Sequence, residues 1–564
     1  MHSQETFNAV LTLAEKIAEE YFAPHNAKSD REEPEFDGAR VHMIGEISAA
    51  LQAFSNSGML AGAMDESLGG VQLPRVIQSA SFAWFQAANI GTANYALLTM
   101  ANANLLQKYG TEEQIQTFVR PMVEGRFFGT MCLSEPQAGS SLADISTRAE
   151  SVGTDEYRLR GSKMWISGGE HDLSENIIHL VLARTPNSPL GVKGLSLFIV
   201  PKFLVNEDGS IGEHNDVVLS GINHKMGNKG TINTFLSFGD GRFSPFGNSG
   251  AVGYLVGELN HGLEYMFHMM NEARIGVGTG AVALGYTGYL HALDYSRSRL
   301  QGRRVGSKSV ESQQVPIVNH SDVRRMLLAS KSYVEGGLAL ELYCARLIDE
   351  SETAGNEDDR TNALLLLDVL TPIAKSWPSQ WCLAANDLAI QIHGGYGYSC
   401  EFPVEQFYRD NRLNMIHEGT NGIQALDLLG RKVRMNDGAG LKMLESEIRK
   451  TIAKSLEPDV QIARQLENLL QQAIRVTRKL WEDGNEQRAL ANANLYLDVL
   501  GHITIAWMWL EQLIAVGDKS GVFYDGKRIA ARFFFSFELP LIQPKIDLLL
   551  TMDTLLVDMD ESWL

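Results

Sequence analysis

Cysteine is scarce and unpatterned in this chain of 564 residues. Its four thiols, Cys132, Cys344, Cys382 and Cys400, show no C-x-x-C spacing, which excludes a disulfide framework and a zinc ribbon and predicts reduced, buried side chains. Positive charge is also short. With 49 Lys and Arg against 68 Asp and Glu the net charge is −19, and a chain that repels polyanions at long range is not a bulk nucleic-acid binder. No basic amphipathic leader opens the sequence and no apolar run reads as long enough to span a bilayer, so a cytoplasmic protein without membrane contact is expected. Internal repeats and low-complexity tracts are missing. So is a G-x-G-x-x-G turn after a strand: Gly276, Gly278, Gly280 and Gly285 fall in a helical pattern, where small residues let helices pack closely.

What is present divides the chain into segments. Length predicts three or four domains or subdomains, and 44% hydrophobic content is ample for a large core. Residues 1 to 128 carry apolar residues at three- and four-residue spacing, punctuated at Gly58, Gly69-Gly70, Gly91 and Gly110, with Thr111 placed to cap a new helix. From 129 to 242 short apolar or alternating runs (TMCLS, ISTRAES, EYRLRG, KMWIS, IIHLVLAR, LSLFIV, INTFLSF) separated by turn residues predict an antiparallel sandwich or barrel. Helical periodicity returns at Gly262 and continues without proline to Leu300, and two further long helices are expected at 321–350 and 362–391, joined by an acidic loop, ETAGNEDD. A last helical region, 436 to 564, shows no catalytic pattern.

One stretch concentrates polar chemistry: IHGGYGYSCEFPVEQFYRDNRLNMIHEGTNGIQALDL, residues 392 to 428. Gly394, Gly395 and Gly397 expose backbone N–H groups that an anion such as a cofactor phosphate can approach. Glu418 before Gly419 predicts a carboxylate at a bend between regular elements, where a base can face a cleft.

The order helical, β, helical resembles the acyl-CoA dehydrogenase family, and three motifs carry that resemblance over residues 35 to 435. They are MCLSEPQAGSS (131–141), KMWISGGE (163–170) and EGT (418–420). The phrasing of HKMGNKGT, FHMMNEARIGVG and SRLQGR is most similar to the long bacterial subfamily that contains 3-methylmercaptopropionyl-CoA dehydrogenase and has an extra C-terminal helical region. The resemblance implies an α+β fold: an N-terminal helical domain (1–128), a middle β barrel or sandwich (129–242), a helical bundle with the catalytic base (243–435) and an additional helical domain (436–564). It also implies an FAD-dependent α,β-desaturation of an acyl-CoA thioester, with electrons passed to an electron-transferring flavoprotein, in a homodimer or dimer of dimers. Two other readings stay open: an alkylation-response flavoprotein of the same fold that binds DNA, and an acyl-CoA oxidase.

The resemblance assigns residues as well. Glu418 is the implied catalytic base. Some family members place the base on the long helix, but that position is Ala273 here, and Glu272 points about 100° away. Leu133, Ser134, Trp165, Ser167, Arg299, Gln391, Gly394, Gly395 and Thr420 are implied FAD contacts, with Gln391, Gly394 and Gly395 offered to a neighbouring subunit's flavin. Ser140 and Arg274 are implied CoA contacts. Ser141 and Gly422 depart from the family's usual Asp and Gln. No metal is implied, and His171 and His417 read as satisfied structural histidines.

Overall fold

The computed structural model describes residues 2–153, 156–306 and 312–564. Two compact units share the chain, Met1–Gly276 and Val277–Leu564.

The first unit opens with helices α1 (Gln4–Ile17), α2 (Gly45–Asn56) and α3 (Arg75–Tyr109). Gly91 does not end α3, yet the chain reverses beside it. Asn89 leaves helical geometry (φ −163°, ψ 92°), and the Gln78 amide meets Met100 Sδ at 3.7 Å, whereas a straight helix would hold those residues about 33 Å apart. Two arms therefore pack against each other, with Phe22, Phe54, Phe82 and Phe85 between them and α1 and α2 in edge contacts. Gly91 suits the turn because a Cβ there would press on Gly230 at 3.1 Å. Thr111 caps the next helix as expected, in a reciprocal box with Gln114.

Eight strands follow in one sheet: β1 (Phe127–Cys132), β2 (Arg148–Ser151), β3 (Glu156–Ser167), β4 (Asn176–Arg184), β5 (Leu195–Pro201), β6 (Val217–Ile222), β7 (Asn233–Phe238) and β8 (Ala251–Leu255). Strands β3, β8, β5, β4 and β2 pair in a closed ring, β7 and β6 extend from β3, and β1 lies outside β4. The sheet is mixed rather than antiparallel, since β1 runs parallel to β4. EYRLRG and KMWIS, read as separate runs, form one strand. Strands β6 and β8 escaped the sequence pattern, and β8 carries the sheet past the expected limit at 242 to Leu255.

Helix α4 (Gly262–Ser298) matches the proline-free periodic run, and the two units divide within it. In the second unit α5 (Ser321–Thr353) and α6 (Glu357–His393) lie beside it. The glycines of α4 do what small residues were expected to do. A Cβ at Gly285 would stand 2.7 Å from Cys382 Cβ. Only 354–356 interrupts α5 and α6; Glu352 and Thr353 end α5, and Glu357, Asp358 and Asp359 open α6, which Asn356 caps through the Asp359 N–H.

Helices α7 (Val404–Arg412) and α8 (Asn421–Leu426) lead to three successive left-handed residues, Asn436, Asp437 and Gly438. They fall in the first turn of α9 (Met435–Ala453), which is followed by α10 (Val460–Leu480), α11 (Ala493–Val516) and α12 (Val522–Phe533). The expectation of no spanning-length apolar run fails at α11, whose 24 residues are long and apolar enough to cross a membrane. Most of that apolar stretch is buried inside the protein. Trp509 donates to Ser332 O (3.1 Å) and Trp507 to Thr451 Oγ1 (2.7 Å), so the helix is a core element of this unit. Three cysteines are buried, and Cys400, contrary to expectation, is exposed.

Candidate active site

In the first unit the MCLSEPQAGSS loop leaves β1 and docks against β3. Met164 N–H donates to Ser134 O (2.9 Å). Lys163 Nζ donates to Leu133 O and Glu135 Oε1, both at 2.9 Å. The Lys163 side chain is 0% exposed and that of Glu135 1%. Glu135 also accepts from the N–H and hydroxyl groups of Ser146 and Thr147 at 2.6–3.0 Å. Burial pushes the Glu135 carboxyl up, but Lys163 and these donors outweigh it and hold the group down at about 2. This satisfied ion pair joins the loop of Leu133 and Ser134 to the strand of Trp165.

The same strand re-aims its tryptophan. Ile166 pairs with Thr234 and Lys163 with Leu236, so Met164 and Trp165 together oppose Phe235 in a bulge. Trp165 takes φ +65° and is 59% exposed. A tryptophan in a strand is ordinarily packed; here backbone strain presents the ring outward. Ser167 is half-buried beside Asn233, whose amide lies 3.4 Å from its hydroxyl. The unit thus brings Leu133, Ser134, Trp165 and Ser167 together. Ser140 sits apart at an exposed bend, and Arg274 is buried on α4 with its guanidinium 5.9 Å from the Phe267 ring. Glu272 accepts from Asn104 (2.9 Å) and lies near Arg75 (3.8 Å) and His268 (3.9 Å), partners that occupy it structurally.

In the second unit Glu418 occupies the bend expected of it. It has φ +54°, followed by Gly419 at +88°, between a short 3-10 turn (Leu413–Met415) and α8. The turn is fastened at both carbonyls: Gln424 Nε2 donates to Glu418 O (3.0 Å) and the buried Lys375 Nζ to Gly419 O (2.7 Å). Thr420 caps α8 through the Ile423 N–H. A chain of buried amides fixes the approach. Asn411 donates to Asn386 Oδ1 (2.7 Å), Asn414 donates to Asn411 Oδ1 (2.9 Å), and His417 Nε2 meets Asn414 Oδ1 at 3.0 Å. His417 is a satisfied neutral imidazole, driven to about 3 by burial and then by Lys375. His171 fits that expectation less well: it accepts from Leu173 N–H at Nδ1, but among the described residues its buried Nε2 has no hydrogen-bond partner.

Arg299, Gln391, Gly394 and Gly395 line one cleft of ≈ 1000 Å³ with Tyr295 and His320. Space is open where a Cβ would stand on Gly394 or Gly395, and the Arg299 guanidinium lies 5.7 Å from the Tyr396 ring. Gly397 has another job, since a Cβ there would strike Ile390 O, so it is a packing residue. Glu418 and Thr420 do not line this cleft. Among the described residues no three His, Cys, Asp or Glu side chains gather as a metal set.

Sequence reasoning missed Lys163, Glu135, Lys375 and the Asn386, Asn411, Asn414 relay. The first two were visible as a lysine on a strand face otherwise apolar and a glutamate inside a recognised motif. Lys375 and Asn386 needed partners more than twenty residues away, Gly419 and Asn411, which no local pattern supplies.

Four family models match successive stretches: acyl-CoA dehydrogenase N-terminal domain (4–126), middle domain (130–240) and C-terminal domain (260–433), and an acetyl-CoA dehydrogenase C-terminal-like model (444–560). The 3-methylmercaptopropionyl-CoA dehydrogenase of Ruegeria pomeroyi is 39% identical over 74% of this chain and 69% of its own length. A broad-specificity linear acyl-CoA dehydrogenase of Mycobacterium tuberculosis is 32% identical over 99% of this chain and 94% of its own. Among solved structures, an acyl-CoA dehydrogenase from Bacillus anthracis complexed with FAD superposes with a TM-score of 0.79 at 19% identity, covering 100% of this chain and 90% of that one, and so shares the fold. With these matches spanning nearly the whole sequence, the chain belongs to the acyl-CoA dehydrogenase family.

Proposed function

We propose that the protein is an FAD-dependent acyl-CoA dehydrogenase that removes the α-proton and β-hydride of an acyl-CoA thioester. FAD, when bound, supplies the hydride acceptor. The observation that carries the reading is the Glu418 turn: a carboxylate in a left-handed conformation, with both adjoining carbonyls tied down by Gln424 and Lys375. Such strain is retained where a group must be aimed. Glu418 takes the α-proton, and its backbone N–H helps hold the thioester oxygen as negative charge develops there.

The residues present fit the flavin. An exposed indole on a bulge offers a flat apolar face, with the Ser134 and Ser167 hydroxyls as hydrogen-bonding groups nearby. The cleft of Arg299, Gln391, Gly394 and Gly395 suits an anionic phosphate portion, because the arginine supplies charge and the glycines leave the backbone accessible. These four residues share one cleft of one chain, so Arg299 serves the same cofactor as Gln391. If that cofactor belongs to a neighbouring subunit, the enzyme is a dimer at least. Ser140 and Arg274 are assigned to CoA, Thr420 to the flavin, and an electron-transferring flavoprotein is the proposed acceptor.

The relatives' names set the substrate panel: linear acyl-CoAs of graded length and 3-methylmercaptopropionyl-CoA. Anaerobic mixing of the yellow protein with each should bleach the flavin with at least one. Glu418→Gln should stay yellow and resist bleaching by all. A wild type bleached by none rejects the desaturase reading, and full turnover in Glu418→Gln moves the base elsewhere.

A further inference from the structure

Glu341, on α5 inside the second unit, is 0% exposed, and among the described residues neither carboxyl oxygen has a hydrogen-bond donor. An ionised carboxylate in that position would be a buried charge without a partner, which folded proteins avoid by keeping the proton. Burial alone drives this carboxyl well above the ordinary range. The groups that feel it electrostatically are the Cys344 and Cys382 thiols, themselves buried and pushed up. A carboxylic acid has one O–H to give, and its surroundings hold a matching acceptor. Pro378, inside α6, has no N–H for the carbonyl four residues before it, which is that of Ala374. The Cβ that Gly278 lacks would collide with both Ala374 O and Glu341 Oε1, so the two oxygens are neighbours across the notch that Gly278 leaves in α4.

We infer that Glu341 is a neutral carboxylic acid that donates its O–H to the Ala374 carbonyl, replacing the helix hydrogen bond that Pro378 removes. The consequence reaches the Glu418 turn. Ala374 precedes Lys375, whose ammonium holds Gly419 O, and Ser379 Oγ donates back to Lys375 O (2.5 Å) across the same interrupted turn. Glu341 is thus a positioning residue for Glu418, acting through α6 and Lys375. This second half rests on Glu418 as the base; the first half does not.

The two halves are tested separately. Infrared difference spectroscopy on FAD-loaded wild type, with and without carboxyl-labelled glutamate and before and after H/D exchange, should show a protonated carboxyl band at neutral pH that disappears in Glu341→Gln and Glu341→Leu. No such band overturns the inference. This measurement needs no substrate, so it stands even if the desaturase reading fails. In anaerobic bleaching, Glu341→Leu should lower the reduction rate about tenfold, the scale of one unmade buried hydrogen bond, with FAD content and KM preserved. Glu341→Gln, whose amide also donates to a carbonyl, should recover most of that loss. Equal rates in Glu341→Leu and wild type overturn the positioning role, as does equal impairment of the Gln and Leu variants. Should Glu341→Leu fail to fold, the wild-type band and the Gln variant's rate still decide.

Discussion

Replacing Lys163 by Met removes the cation that ties the Leu133–Ser134 loop to the Trp165 strand while leaving its hydrocarbon volume in place. The side chain is fully buried and makes two 2.9 Å bonds, to Leu133 O and Glu135 Oε1. Breaking a buried ion pair from one side costs about 3–5 kcal/mol, because the remaining charge is stranded. Glu135 would keep four donors from Ser146 and Thr147, which places the loss near the lower end, about 3 kcal/mol. Urea unfolding followed by flavin release and by far-UV circular dichroism should show the first transition shifted by that amount. Converting both partners, Lys163→Met with Glu135→Leu, should cost less than the single change, since no charge is then stranded. The pH dependence has a fixed sign. Glu135 is held at about 2 against an ordinary value of 4.5, so its stabilisation is complete above pH 4.5 and lost as pH falls through 2; the gap between wild type and Glu135→Gln should narrow over that window. A single variant within about 1 kcal/mol of wild type, less than any stranded buried charge should cost, would refute the reasoning.

Trp165→Ala should leave folding nearly unchanged, because the ring is largely exposed, but weaken FAD binding about tenfold, the scale of one lost aromatic stack; unaltered titration with free FAD would remove Trp165 from the cofactor site. Gly419→Ala should slow flavin reduction at least tenfold: the new Cβ would sit 2.6 Å from Gln424 Nε2 at φ +88°, and displacing that amide frees the Glu418 carbonyl. A rate within twofold of wild type would mean the turn tolerates disorder. For Glu341, raised well above 4.5 by burial, stability is greatest at low pH and falls as pH rises past 4.5 by about 1.4 kcal/mol per unit until the group ionises. Glu341→Gln should abolish that slope in thermal unfolding between pH 5 and 8, and an unchanged slope would place its origin elsewhere.

The hydrophobic periods were local signals and were legible. A 3.6-residue repeat without proline marks Gly262–Ser298 whatever surrounds it, and short apolar or alternating runs mark β3, β4 and β5. The bend at Glu418 was legible for the same reason, since Gly419 announces a left-handed turn to its immediate neighbours. Strand β8 was not, because AVGYL has no alternation of its own and is a strand only by pairing with β3 and β5. Helix α11 was read as part of a helical region, but its spanning length was not: one apolar composition serves a membrane span and a protein core, and only burial against α5 and α9 separates them.

By itself the order of residues determined the family, through motifs each legible in a short stretch, most of the element types, and the bend that holds the carboxylate at position 418. Tertiary structure alone decided that Trp165 faces outward, that Lys163 and Lys375 hold the two motif segments, and that Arg299 and Gln391 share a cleft. Those facts depend on groups distant in sequence and adjacent in space, where burial raises the cost of an unpaired charge until only one arrangement satisfies it.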